Sequence, residues 1–98
     1  MSHCVVVSSE ARRDLLKLNA FLAAKSDIAA RNAMDKIETS LRSLADYPER
    51  GRKADGALRE LLIPFGLSGY VALYRVDQVE VVVARVFHMR EDRSGLRP

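Results

Sequence analysis

The spacing of apolar residues changes character once along the chain, at Pro48, and that change restricts the folds open to it. Before Pro48, Ala11, Leu15, Leu18 and Leu22 recur at steps of four, three and four, and Ala30, Ala33, Ile37, Leu41 and Leu44 continue in the same manner. Each set falls on one side of an α-helix. After the polar stretch 49–56, the apolar residues are β-branched or aromatic and come in short runs, as in Tyr70-Val71-Ala72-Leu73-Tyr74 and Val81-Val82-Val83. Such runs suit strands.

The element boundaries follow from local chemistry. Cys4-Val5-Val6-Val7 reads as a first strand. Ser8-Ser9 then offers a side-chain oxygen to the free N–H groups of a helix over residues 9–24, and Glu10 suits its positive end. Lys25-Ser26-Asp27 interrupts the pattern, with Asp27 as N-cap of a second helix over residues 28–46. Pro48 ends that helix, because the residue before a proline avoids helical geometry. Strands follow at 58–64, 70–76 and 79–88, with a turn at 65–69 and a two-residue turn at Asp77-Gln78. The order β-α-α-β-β-β predicts an α+β fold, an antiparallel sheet with an N-terminal helix hairpin packed on one face. Residues 1–98 suit one domain, and the charged tail, 89–98, is expected to be loosely held.

The two-residue turn sets a register in which Tyr74 faces Val81 and Arg75 faces Glu80. One sheet face then carries Tyr70, Ala72, Tyr74, Val76, Val79, Val81, Val83 and Phe87, with Arg85 near its end, and packs on the helices. The opposite face carries Val71, Leu73, Arg75, Val82, Ala84 and Val86, with Glu80 and His88. A helix hairpin covers one face only, so this second face is left as an apolar patch that calls for a partner. A second copy of the chain would serve, and so would the tail folding back.

The remaining features narrow the function by exclusion. Cys4 is the one cysteine, so no internal disulfide is possible. No signal peptide and no membrane-length apolar run appears, which makes the cytoplasm the expected location. The glycines lack phosphate-loop spacing, and His3 and His88 lack the neighbours of a metal site, so no cofactor or metal is expected. The net charge of +3 is mild. Arg50, Arg52 and Lys53 form one basic cluster; Arg85, Arg90, Arg93 and Arg97 form another, with acids interspersed in both. His88 and Glu91 are a weak pair for proton transfer.

Taken together, Ser9 with residues 11–15, Leu44-x-x-Tyr47-Pro48-x-x-Gly51, Leu58-Arg59-Glu60-Leu61, residues 69–76 and Val86-Phe87-His88-Met89-Arg90-Glu91 resemble the RelE/ParE toxin superfamily over almost the full length. The resemblance implies a toxin of a type II toxin–antitoxin system, neutralised by a ParD-like antitoxin encoded beside it, in a hetero-oligomer. It places antitoxin binding on Val71, Leu73, Arg75, Val82, Ala84 and Val86. RelE-type members cut messenger RNA on the ribosome with lysines and an arginine at positions that fall here on Leu62, Pro64 and Val71, and with a tail tyrosine that falls near Leu96. Only the final arginine has a counterpart, Arg90. The resemblance therefore points to the ParE type, which inhibits DNA gyrase by binding rather than by catalysis and serves plasmid stabilisation. Contact with DNA is then indirect, through gyrase or the antitoxin. Candidate target contacts are Arg90, Arg93 and Arg97 in the tail and Arg12, Arg13 and Lys17 on the first helix. The alternative is a RelE-type ribonuclease using Arg90, Arg93, Glu91 and His88.

Overall fold

The computed structural model describes residues 3–90. The described elements are β1 (Cys4–Val7), α1 (Ser9–Ala23), α2 (Asp27–Arg42) with a following 3-10 turn (Ser43–Ala45), β2 (Arg52–Lys53), β3 (Leu58–Phe65), β4 (Ser68–Val76) and β5 (Glu80–His88). The helix caps are both serines. The Ser8 hydroxyl accepts the Ala11 N–H and the Ser26 hydroxyl accepts the Ala29 N–H. Ser26, not Asp27, is therefore the N-cap of α2, and Asp27 becomes the acidic first-turn residue.

The five strands form one sheet in the order β1-β5-β4-β3-β2. β3, β4 and β5 are antiparallel neighbours, as the hairpin reading requires. β1 runs parallel to β5, from Cys4 opposite Glu80 to Val7 opposite Val83, so the sheet is mixed rather than wholly antiparallel. β2 was not foreseen. Its two residues hydrogen-bond along β3 within what the sequence presents as a polar loop.

The helix stripes meet one face of this sheet. Ala11 from α1, and Ala33, Ile37, Leu41 and Leu44 from α2 and its 3-10 turn, pack with Leu61, Ile63, Tyr70, Ala72, Tyr74, Val81 and Val83 in a single core. The link after α2 is pinned to that core. The Tyr74 hydroxyl accepts the Gly51 N–H and donates to the Pro48 carbonyl, both at 2.8 Å. A Cβ on Gly51 would lie 2.7 Å from the Tyr74 hydroxyl oxygen and 2.8 Å from the Glu60 carbonyl oxygen, so this close approach admits only glycine. The spacing Tyr47-Pro48-x-x-Gly51 thus has a mechanical cause.

The last hairpin departs from the expected register in two steps. The Asp77 N–H donates to the Glu80 carbonyl at 2.8 Å, which places the turn on Gln78-Val79, one residue late. Tyr74 therefore faces Val83 and Arg75 faces Val82, not Glu80. A two-residue offset preserves side-chain parity, so Val81 and Val83 still face the helices, whereas Val79 moves into the turn and is exposed. A β-bulge then follows. Tyr74 pairs with Val83 while Leu73 pairs with Arg85, leaving Ala84 as the extra residue of β5. Beyond it the faces exchange: Val86 joins the helix-side core, and Phe87 joins Val71 and Leu73 on the opposite face.

Candidate functional site

The second sheet face is not the open patch that alternation predicts. Val71, Leu73 and Phe87 are at most 3% exposed and pack with Met89. Val82 and Ala84 are also buried, at 9% and 8%. Of the six residues expected there for antitoxin binding, Val86 lies in the helix-side core and only Arg75 is exposed. The bulge moved Val86, and the partly buried Met89 packs against Val71, Leu73 and Phe87.

The site that does open to solvent lies between α1 and the end of β5. α1 lies against the end of β5 over a short stretch: of its fifteen residues only Ala11 is buried, while Leu18 and Leu22 are half-buried and Phe21 is exposed. The resulting groove has a volume of about 650 Å³ and is lined by Asp14, Lys17, Leu18, Phe21 and Leu22 from α1 and by Tyr70, Arg85, Val86, Phe87, His88 and Arg90 from the sheet and its end.

Its geometry is set by the bulge. The Asp14 carboxylate accepts Arg85 Nε at 2.8 Å, Arg85 Nη2 at 3.0 Å and the Val86 N–H at 2.9 Å. The Ser8 hydroxyl donates to the Ala84 carbonyl at 2.9 Å. Backbone groups that the bulge takes out of the ladder are thereby satisfied by side chains of the helix entry. Further along, the His88 ring lies edge-on to Tyr70, with centroids 5.5 Å apart, and its Nδ1 accepts the Arg90 N–H at 3.1 Å. Burial raises the Tyr70 phenol above its ordinary value of 10.0, so the group is a neutral O–H donor. Lys25 Nζ stands 4.4 Å from the centroid of the Phe21 ring.

The structure thus brings Lys17, His88 and Arg90 to one place and leaves Arg12 and Arg13 exposed elsewhere on α1. Glu91, Arg93 and Arg97 lie outside the described residues, as does all of the expected tail except Met89 and Arg90. The positions held by basic residues in RelE-type ribonucleases are here Leu62, which is 43% exposed, the exposed Pro64, and the buried Val71. Among the described residues no cluster of three metal-ligating side chains occurs, and no helix is long and apolar enough to cross a membrane. Asp14, Phe21 and Tyr70 escaped notice in the sequence, where Asp14 sits in an ordinary charged helix face and Tyr70 in a core stripe. The one available signal was Arg85, a cation on an apolar strand face that requires a carboxylate.

A strand, a helix hairpin and a bulged sheet with a groove beside the first helix make up the fold. Solved structures with this fold include the chromosomal ParDE toxin–antitoxin system from P. aeruginosa, with a TM-score of 0.74 at 18% identity over 89% of this chain and 96% of that one. The toxin–antitoxin complex RelBE2 from Mycobacterium tuberculosis matches with a TM-score of 0.58 at 27% identity, over 90% and 99%. By sequence, the chain is 40% identical to toxin RelE3 of Caulobacter vibrioides over 91% of this chain and 97% of that protein, and 39% identical to toxin RelE1 of the same organism over 95% and 100%. Residues 5–93 match the family described as the ParE toxin of the type II toxin–antitoxin system parDE. The chain belongs to this ParE toxin family.

Proposed function

We propose that this toxin acts in the cytoplasm by binding DNA gyrase and arresting growth, without chemistry of its own, until a ParD-like antitoxin encoded beside it neutralises it. The observation that carries the reading is the set Leu62, Pro64 and Val71. Cutting RNA requires groups that exchange protons and cations that stabilise a charged phosphorane. Leucine, proline and valine do neither, and Val71 is 1% exposed. Binding to gyrase needs no such groups. Lys17 and Arg90 are the described residues best placed to contact the target; Arg12 and Arg13 are a second exposed set on α1.

The second reading is a ribosome-dependent ribonuclease. It is favoured by the name RelE of the Caulobacter vibrioides relatives and by the approach of His88 to Arg90 in one groove. A supercoiling assay separates the two. Purified gyrase acting on relaxed plasmid is expected to stall, with trapped double-strand breaks, when the toxin is added. Unaltered supercoiling at a large molar excess of folded toxin removes the gyrase assignment.

A further inference from the structure

We infer that the outer edge of β1 is a self-association site, where Val5, Val6 and Val7 pair antiparallel with the same residues of a second copy of this chain and join the two sheets. The surface is one that the gyrase reading does not use, so the inference stands or falls without it.

The two edges of the sheet differ. β2 consists of Arg52 and Lys53, both exposed, with Arg52 paired to Glu60. Shortness and charge are ordinary means of keeping an edge from pairing with another chain. β1, at the other edge, reads Cys4-Val5-Val6-Val7, largely β-branched and without charge or proline. Val6 is 41% exposed.

Which groups are open follows from the parallel pairing with β5. The Cys4 N–H donates to the Val79 carbonyl at 3.0 Å and the Ser8 N–H to the Val83 carbonyl at 2.9 Å. Even-numbered residues of β1 therefore face β5 and odd-numbered ones face outward. The first outward N–H, that of His3, donates to the Ala45 carbonyl at 2.7 Å. Beyond Val7 the chain turns into α1 at the Ser8 cap. The open row is thus the N–H and C=O groups of Val5 and Val7, which no other strand among the described residues meets.

This window selects its occupant. The 3-10 turn closes it at one end and α1 at the other, so it suits an extended segment no longer than the one it presents. In a two-fold antiparallel pair centred on Val6, Val5 of each copy faces Val7 of the other, and the two exchange both hydrogen bonds. No open group of the window is left over. Val6 then meets its own counterpart across the axis, a β-branched cross-strand contact. No like charges oppose, since residues 4–8 carry none, and Glu10 at the start of one α1 approaches His3 of the other copy. So short a pairing buries well under the roughly 800 Å² per partner of a standard interface, so the dimer is weak and forms at high local concentration.

Cross-linking and sedimentation of the purified chain test the inference. In a Cys4→Ser background, Val6→Cys puts one thiol on each side of the axis. The Cα atoms of such a pair lie about 4.5 Å apart, within disulfide reach, and mild oxidation is expected to convert most of the variant to covalent dimer. Lys53→Cys in the same background, at the charged edge, is expected to stay monomeric. So is the oxidised parent, because its two Cys4 residues would lie about 13 Å apart along the pair, beyond disulfide reach. Sedimentation of the reduced parent is expected to show a mass that rises with concentration toward twice the monomer. Val6→Lys changes an exposed side chain and is expected to abolish that rise while keeping the parent's Tm. A parent that sediments as a monomer up to about 1 mM, or a Val6→Cys variant that links no faster than Lys53→Cys, overturns the inference. If amide exchange at Val5 and Val7 slows only when the protein encoded beside this chain is bound, and not as the toxin alone is concentrated, the edge belongs to that protein and the inference is likewise overturned.

Discussion

Asp14 Oδ2 lies 2.8 Å from Arg85 Nε, across 71 positions of sequence, and the same oxygen takes the Val86 N–H at 2.9 Å. One carboxylate thus neutralises the cation of β5 and holds the bulge that sends Val86 into the core. Its side chain is 12% exposed and that of Arg85 is 20% exposed.

Asp14→Ala leaves Arg85 and the Val86 N–H without this acceptor and is expected to cost about 2–4 kcal/mol of stability. Replacing Arg85 with Met in the same background should recover part of that loss, because a largely buried cation that has lost its carboxylate contact is removed. Denaturant titration of the three proteins measures both effects. A cost below about 1 kcal/mol for Asp14→Ala would show that the pair behaves as a surface contact.

Tyr74→Phe removes an acceptor for the Gly51 N–H and a donor to the Pro48 carbonyl, at an expected cost of about 1–3 kcal/mol. The same phenol sets a pH dependence. Burial, the largest influence, raises it above 10.0 despite the opposing Gly51 hydrogen bond and nearby Arg59 and Arg50. The unfolded chain therefore loses the proton first, and stability falls as pH rises from the unfolded pKa through the folded one. Tyr70 is raised in the same direction. Tm measured across the alkaline range should drop above about pH 10 and drop less steeply in Tyr74→Phe. An identical alkaline slope in the variant would refute the assignment.

Leu44 is fully buried and Leu67 is fully exposed at the tip of the β3–β4 turn. Leu44→Ala should cost about 2–5 kcal/mol, and Leu67→Ala should stay within about 0.5 kcal/mol. Equal effects would contradict the placement of the core.

Adding the toxin to a translating extract should produce no codon-specific cleavage of messenger RNA, and Arg90→Ala should behave as the parent does. Cleavage at the ribosomal A site that Arg90→Ala abolishes would instead establish the ribonuclease reading. Binding to bare DNA or RNA at low salt is expected to be flat, since a mere nucleic-acid module would show affinity that falls steeply with salt.

Both helices, the three long strands and the core stripes were legible in the sequence because each depends on local periodicity. Every stripe residue assigned to α2, from Ala30 to Leu44, is buried. The site was less legible because two small offsets decided it. Moving a two-residue turn from Asp77-Gln78 to Gln78-Val79 preserves parity and costs the reading little. One extra residue at Ala84 reverses parity, and so Val86 and Phe87 exchanged faces. A bulge leaves no mark in a run such as Val81-Val82-Val83-Ala84, since each residue there suits either face. The parallel placement of β1 was equally hidden, as Cys4-Val5-Val6-Val7 suits any edge.

That placement has a consequence for when the toxin comes into being. β1 is made well before its partner residues in β5, 80–83. Contacts that span most of a chain close late and slowly. A nascent chain that has not yet extruded β5 has no partner for its first strand, no Arg85 for Asp14, and no wall opposite α1. The groove is therefore assembled only once β5 has been made, and a chain that stops before β5 would carry α1 with part of its apolar stripe uncovered, a substrate for proteases rather than a poison.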